Sequence, residues 1–179
     1  MALLELSGLT KRFGGMLAVN QLDLRVEEGE IVSLIGPNGA GKTTVFNVIS
    51  GLYAPDAGDI RFQGRSLRGM AAHEITARGI ARTFQSLRIF TNMTVLENVM
   101  VGQHARGRAG ALAAMLRLPK HRREEDRIRQ RAVDALSLFE GDLSGFRLDQ
   151  LAYSLSYANR RRLEIARALA TEPKLLLLD

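Results

Sequence analysis

Residues Gly36-Pro37-Asn38-Gly39-Ala40-Gly41-Lys42-Thr43-Thr44 fit the pattern G-x-x-x-x-G-K-[ST], and no other stretch restricts the possible folds of this chain as tightly. The apolar run before it, Glu30-Ile31-Val32-Ser33-Leu34-Ile35, reads as a buried strand, and Val45-Phe46-Asn47-Val48-Ile49 after it fits the first turns of a helix. Strand, glycine-rich loop and helix in that order are the setting of a phosphate-binding loop. The glycines let the backbone bend tightly and turn its N–H groups inward, and the helix N-terminus adds partial positive charge. In such a loop Lys42 reaches the β- and γ-phosphates of a nucleoside triphosphate and the Thr43 hydroxyl ligates Mg²⁺. The alternative, a glycine-rich turn that matches by chance, does not account for the flanking strand and helix.

With 179 residues the chain suits one domain with a real core. It has no cysteine, which removes disulfides and thiolate metal sites and is compatible with a cytoplasmic protein. No apolar run approaches the roughly 18 residues of a membrane span, and Met1-Ala2-Leu3-Leu4-Glu5 lacks the pattern of a signal peptide. Membrane association is therefore expected to go through a partner. The net charge of +6 invites a nucleic-acid reading, but the excess is local. Nine of the 25 Lys/Arg residues lie between His104 and Arg131, against three acids, so one basic helical patch accounts for the imbalance.

Along the chain, Leu4, Leu6 and Leu9 begin a strand, and Leu22, Leu24 and Val26 alternate with polar residues up to Glu28-Gly29. Pro55-Asp56-Ala57-Gly58 is a turn into a strand at Asp59-Ile60-Arg61-Phe62, closed by Gln63-Gly64. Ala71 to Arg78 reads as a short helix stopped by Gly79, and Ile80 to Gln85 as extended. Thr94-Val95-Leu96-Glu97 is a capping-box pattern opening a helix. The Gly-, Ala- and Arg-rich region after Gly102 is expected to be partly mobile. Ile128, Ala132, Leu136 and Phe139 then recur at helix spacing. A last helix, Tyr157 to Ala170, is stopped by Pro173 and followed by the strand Leu175 to Leu178.

Several other positions carry chemistry. A buried strand ending in Asp179 places a carboxylate where a P-loop protein holds Mg²⁺; by itself it is equally an ordinary strand end. The Gln85 amide can orient a water or ligate Mg²⁺, but a surface Gln at a strand end is commoner. Phe13 can stack on a base or sit at the rim of a core. Ser156 before a helix is an N-cap, and the same helix end can receive a phosphate. His73, His104 and His121 are scattered in polar surroundings and receive no role.

As a set and in this order, Phe13, the loop Gly36 to Thr44, Gln85, Leu155 to Arg160 and the strand ending at Asp179 closely resemble the ATP-binding subunit of ABC transporters. The resemblance covers the whole chain. Within the family, Arg82-Thr83-Phe84-Gln85, Thr94 to Gly102, Arg161 to Leu169 and the basic insert look like branched-chain amino acid (Liv-type) import subunits; urea and amide importers share much of this pattern. The resemblance implies an α/β P-loop NTPase core with an antiparallel β-subdomain and an α-helical insert. It divides one incomplete domain into residues 1–88 (β-subdomain and P-loop core), 89–155 (helical subdomain) and 156–179 (signature helix and Walker B strand). It implies a homo- or heterodimer with a second ATP-binding subunit, enclosing two ATP molecules with Mg²⁺. Phe13 would stack on adenine, and Gly36, Pro37, Asn38, Gly39, Ala40, Gly41, Lys42, Thr43 and Thr44 would hold the phosphates. Thr43, Gln85 and Asp179 would ligate the metal, with Lys42 and Gln85 serving catalysis. Ser156 and Ala158 would approach the γ-phosphate bound by the other subunit. Transmembrane permease subunits, and through them a substrate-binding protein, are the implied partners, with no nucleic acid. The place is the cytoplasmic face of the inner (plasma) membrane.

Two departures from the family pattern stand out. Ala158-Asn159 occupies positions where the pattern calls for Gly and Gln, and a Cβ at Ala158 is expected to crowd a phosphate and resist an unusual backbone angle. The family also continues past the Walker B Asp with a catalytic Glu and a switch His, whereas this chain stops at Asp179. The expectation is a chain that binds Mg-ATP without turning it over alone. A hydrolytically inactive nucleotide-binding remnant is the first alternative. A soluble ABC protein acting on nucleic acid through the basic patch is the second.

Overall fold

The computed structural model describes residues 2–103, 119–139 and 141–179. The region after Gly102 that reads as mobile, and much of the basic patch, falls outside these residues. Contacts divide the chain into two compact units, Met1–Ile80 with Asp179, and Ala81–Leu178.

The first unit is built on an antiparallel sheet of order β2-β1-β3-β4, with β1 at Leu4–Phe13, β2 at Met16–Val26, β3 at Ala57–Phe62 and β4 at Arg65–Ser66. Register sets Leu4 against Val26 on one side and Phe62 on the other. Leu6 stands likewise against Ile60. Alternation thus gathers Leu4, Leu6, Val26, Ile60 and Phe62, all buried, on the core face. Helix α1, Lys42–Ile49, buries Val45, Val48 and Ile49. The short α2, Ala72–Ala77, buries Ile75.

The sequence predicts a buried strand at Glu30–Ile35, and here the structure differs. The segment carries no strand pairing, and Ile31 and Ile35 are 96% and 94% exposed. A central strand is buried only when neighbours bond to both edges and layers cover its faces. Among the described residues none pairs with this run, so apolar composition alone leaves it in solvent.

Strand β5, Ile80–Arg82, which lies in the second unit except for Ile80, pairs with β6, Leu175–Leu177, one residue shorter than the predicted strand. The Thr83 N–H extends the pairing, donating to the Leu177 carbonyl at 3.0 Å. Helices α3 (Val95–Gly102), α4 (Pro119–Ser137) and α5 (Tyr157–Leu169) enclose a core that includes Val95, Val99, Ala132, Leu136, Leu163 and Ala166. Of the predicted helical stripe, Ala132 and Leu136 are fully buried and Phe139 packs against the same cluster.

The capping box of α3 forms as its sequence requires. The Glu97 N–H donates to the Thr94 hydroxyl at 3.1 Å, and the Thr94 N–H donates to the Glu97 carboxylate at 2.8 Å. Buried Asn98 then fastens the preceding loop: its amide accepts from the Phe90 N–H at 2.8 Å and donates to the Phe90 and Thr94 carbonyls, each at 2.9 Å. Gly102 lets α3 and α5 approach, since a Cβ there would lie 2.5 Å from Cγ of Arg167 and 3.1 Å from its carbonyl.

Candidate nucleotide-binding site

The glycine-rich loop enters α1 through Gly41, which stands at φ 83°, ψ 4°. Any other residue there would be excluded twice. L side chains disfavour that angle, and a Cβ would fall 2.3 Å from the Ala18 carbonyl oxygen of β2. The first helical bond follows at once, the Val45 N–H donating to the Gly41 carbonyl at 2.9 Å. The N–H groups of the first helical turn have no intrahelical acceptor and carry the positive end of the helix dipole.

Three side chains meet around this helix start. The Lys42 ammonium folds back over the loop, donating to the Gly36 and Pro37 carbonyls at 2.6 and 2.7 Å. It therefore braces the loop while sitting among the groups a phosphate would approach. The Thr43 hydroxyl donates to the Asp179 carboxylate at 3.3 Å. Residues far apart in sequence thus place a cation, a hydroxyl and a carboxylate at one helix end, an arrangement suited to a phosphate and a divalent cation.

Phe13 ends β1 and is 38% exposed. Tyr53 meets it edge-on, with ring centroids 5.2 Å apart and planes at 76°. The Lys11 ammonium lies 5.5 Å from the Phe13 centroid. Asp56 accepts from the Arg12 N–H and from the Lys11 ammonium, which fixes the end of β1. Those bonds hold the Asp56 carboxyl below its ordinary range, the Arg12 N–H contributing most. Sequence reasoning does not single out Tyr53; the available signal is an aromatic residue just ahead of the Pro55 turn.

In the second unit Ser156 caps α5, its hydroxyl accepting from the Asn159 N–H at 3.3 Å. Ala158 is exposed and lies within the helix, outside the left-handed region. The backbone resistance expected there is absent, because helical geometry suits alanine better than any other residue. Asn159 is buried, and its side-chain oxygen accepts from the Arg162 guanidinium at 2.7 Å. Gln85 is exposed, and its carbonyl accepts from the Arg161 guanidinium at 3.1 Å.

A glycine-rich loop cradling a helix start, with a Thr–Asp pair beside it, defines a P-loop nucleotide-binding protein. The chain belongs to the ABC transporter family, whose description matches residues 19–179. It is similar to the high-affinity branched-chain amino acid transport ATP-binding protein BraF of Pseudomonas aeruginosa, 47% identical over 99% of this chain and 68% of the relative. The high-affinity branched-chain amino acid transport ATP-binding protein LivG of Escherichia coli is 43% identical over 99% of this chain and 68% of that relative. Among solved structures, a nucleotide-free ATP-binding cassette from an ABC transporter superposes with a TM-score of 0.81 at 31% identity, covering 100% of this chain and 69% of that one. A dimeric post-hydrolysis cassette, MJ0796 bound to ADP and Pi, gives 0.77 at 28% identity, covering 98% and 73%.

Proposed function

We propose that this chain is the ATP-binding subunit of an ABC importer that takes up branched-chain amino acids. The observation that carries the proposal is the meeting of Lys42, Thr43 and Asp179 at the start of α1, in a chain 47% identical to BraF. The residues present fit Mg-ATP. The cradle at Gly41 admits no side chain, and the hydroxyl and carboxylate beside it are hard oxygen ligands. Among the described residues no group of three or more His, Cys, Asp or Glu could hold a metal, so a cation here would depend on phosphate oxygens for its remaining ligands.

In this role Gly36 to Thr44 hold the phosphates, with Lys42 leaving the loop carbonyls for the β- and γ-oxygens. Thr43, Gln85 and Asp179 would be the residues that hold Mg²⁺, which would supply neutralisation of the phosphate charge. Phe13, braced by Tyr53, offers a face to adenine. Ser156 and the N–H groups beyond it contact the γ-phosphate held by a second subunit, identical or related. That dimer state is supported by the MJ0796 structure. No helix among the described residues is long and apolar enough to cross a membrane, which fits attachment through permease subunits at the cytoplasmic face. A substrate-binding protein would deliver the amino acid to those permeases.

Uptake of labelled leucine, isoleucine and valine by cells carrying Lys42→Ala in the full-length gene tests this. The expected result is loss of uptake together with loss of fluorescent ATP-analogue binding by the purified protein. Unchanged uptake of all three amino acids removes the substrate assignment, and unchanged nucleotide binding removes the site.

A further inference from the structure

Glu164 faces into the second unit from the second turn of α5, and its side chain is only 2% exposed. Burying a carboxylate is costly unless it is paired and hydrogen-bonded. Glu164 meets that condition with unusual partners. One of its oxygens accepts from the backbone N–H of Phe84 at 3.2 Å, and the other accepts from Arg161 at 3.3 Å. Arg161 in turn donates to the Phe84 carbonyl at 2.9 Å and to the Gln85 carbonyl at 3.1 Å. The Phe84 N–H and the carbonyls of Phe84 and Gln85 therefore all end on two side chains one helical turn apart. The ring of Phe84 is flanked as well, by the guanidinium groups of Arg82 at 5.1 Å and Arg88 at 4.6 Å.

We infer that Arg161 and Glu164 are positioning residues that tie the helix capped by Ser156 to the Gln85 segment, so that nucleotide held at that helix end sets the place of Gln85. This rests on the roles of Ser156 and Gln85 in the proposed function. An apolar side chain at 164 would fill the core at lower cost, but it could not hold the Phe84 amide or orient Arg161. The planar fork of Arg161 spans two successive carbonyls, which a lysine ammonium cannot do. With its backbone gripped from α5, the segment moves with that helix, while the Gln85 side chain stays exposed for its ligand.

The sequence contains no cysteine, so Ser86→Cys, at an exposed position beside Gln85, can carry a single environment-sensitive fluorophore. In the labelled full-length protein, addition of Mg-ATP is expected to change the emission. In Arg161→Ala and Glu164→Gln backgrounds the affinity for a fluorescent ATP analogue stays within about twofold, while the emission change falls by about fivefold or more. Arg161→Lys, which keeps the charge, falls between. Full emission changes in both variants overturn the coupling, as does loss of nucleotide affinity in parallel with melting temperature. Nucleotide binding by the parental labelled protein with no emission change also overturns it, but leaves the P-loop assignment standing. A parental protein that binds no nucleotide defeats that assignment and the coupling with it.

Discussion

At Gly41 a left-handed backbone angle and a carbonyl 2.3 Å from the nearest possible Cβ coincide. The obstacle is the backbone of Ala18, which cannot rotate away as a flexible side chain would. Gly41→Ala should therefore cost about 1–3 kcal/mol in stability and displace the loop from β2. Urea denaturation measures the first effect and titration with a fluorescent ATP analogue the second; a variant with parental values for both would show that the loop relaxes freely. The motif predicts a glycine at this position without naming the group it approaches. Tyr53 lies at the opposite extreme. Only its place just ahead of the Pro55 turn marks it in the sequence, because its contact with Phe13 depends on where the turn after α1 delivers it.

Among the elements, α3 shows local sequence and structure in agreement, since the four residues Thr94 to Glu97 contain both halves of their own cap. The hydrogen bonds from the Thr94 N–H and hydroxyl region hold the Glu97 carboxyl below its ordinary range. A carboxylate with a lowered folded pKa contributes stability that is present above its unfolded pKa and lost as pH falls through the folded value. Denaturation midpoints between pH 7 and pH 3 should accordingly fall less steeply for Glu97→Gln than for the parental protein. Thr94→Ala should cost about 1 kcal/mol at neutral pH. Equal slopes for the Gln variant would remove the carboxylate from the cap. The Glu30–Ile35 run shows the reverse. Its composition is that of a buried strand, yet burial comes from neighbouring strands and layers, which a local run of apolar residues does not contain.

For the whole molecule, that run has a physical consequence. Ile31 and Ile35 are almost fully exposed, and an unpaired apolar segment is a template for strand pairing with another copy. The 179-residue chain should associate in a concentration-dependent way, and Ile35→Lys should shift it toward monomer in sedimentation velocity. A parental chain that stays monomeric at high concentration would show that the segment is protected.

By itself the sequence determined the phosphate-binding loop, the caps of α3 and α5 and the alternation of Leu22, Leu24 and Val26 along β2. Each of these depends on residues near one another in the chain, where backbone geometry and hydrogen-bonding reach are short-ranged. The tertiary structure alone decided that Tyr53 meets Phe13 edge-on and that Arg161 and Glu164 grip the Gln85 segment. Those contacts join residues brought together only by packing, and no spacing in the chain encodes such a meeting.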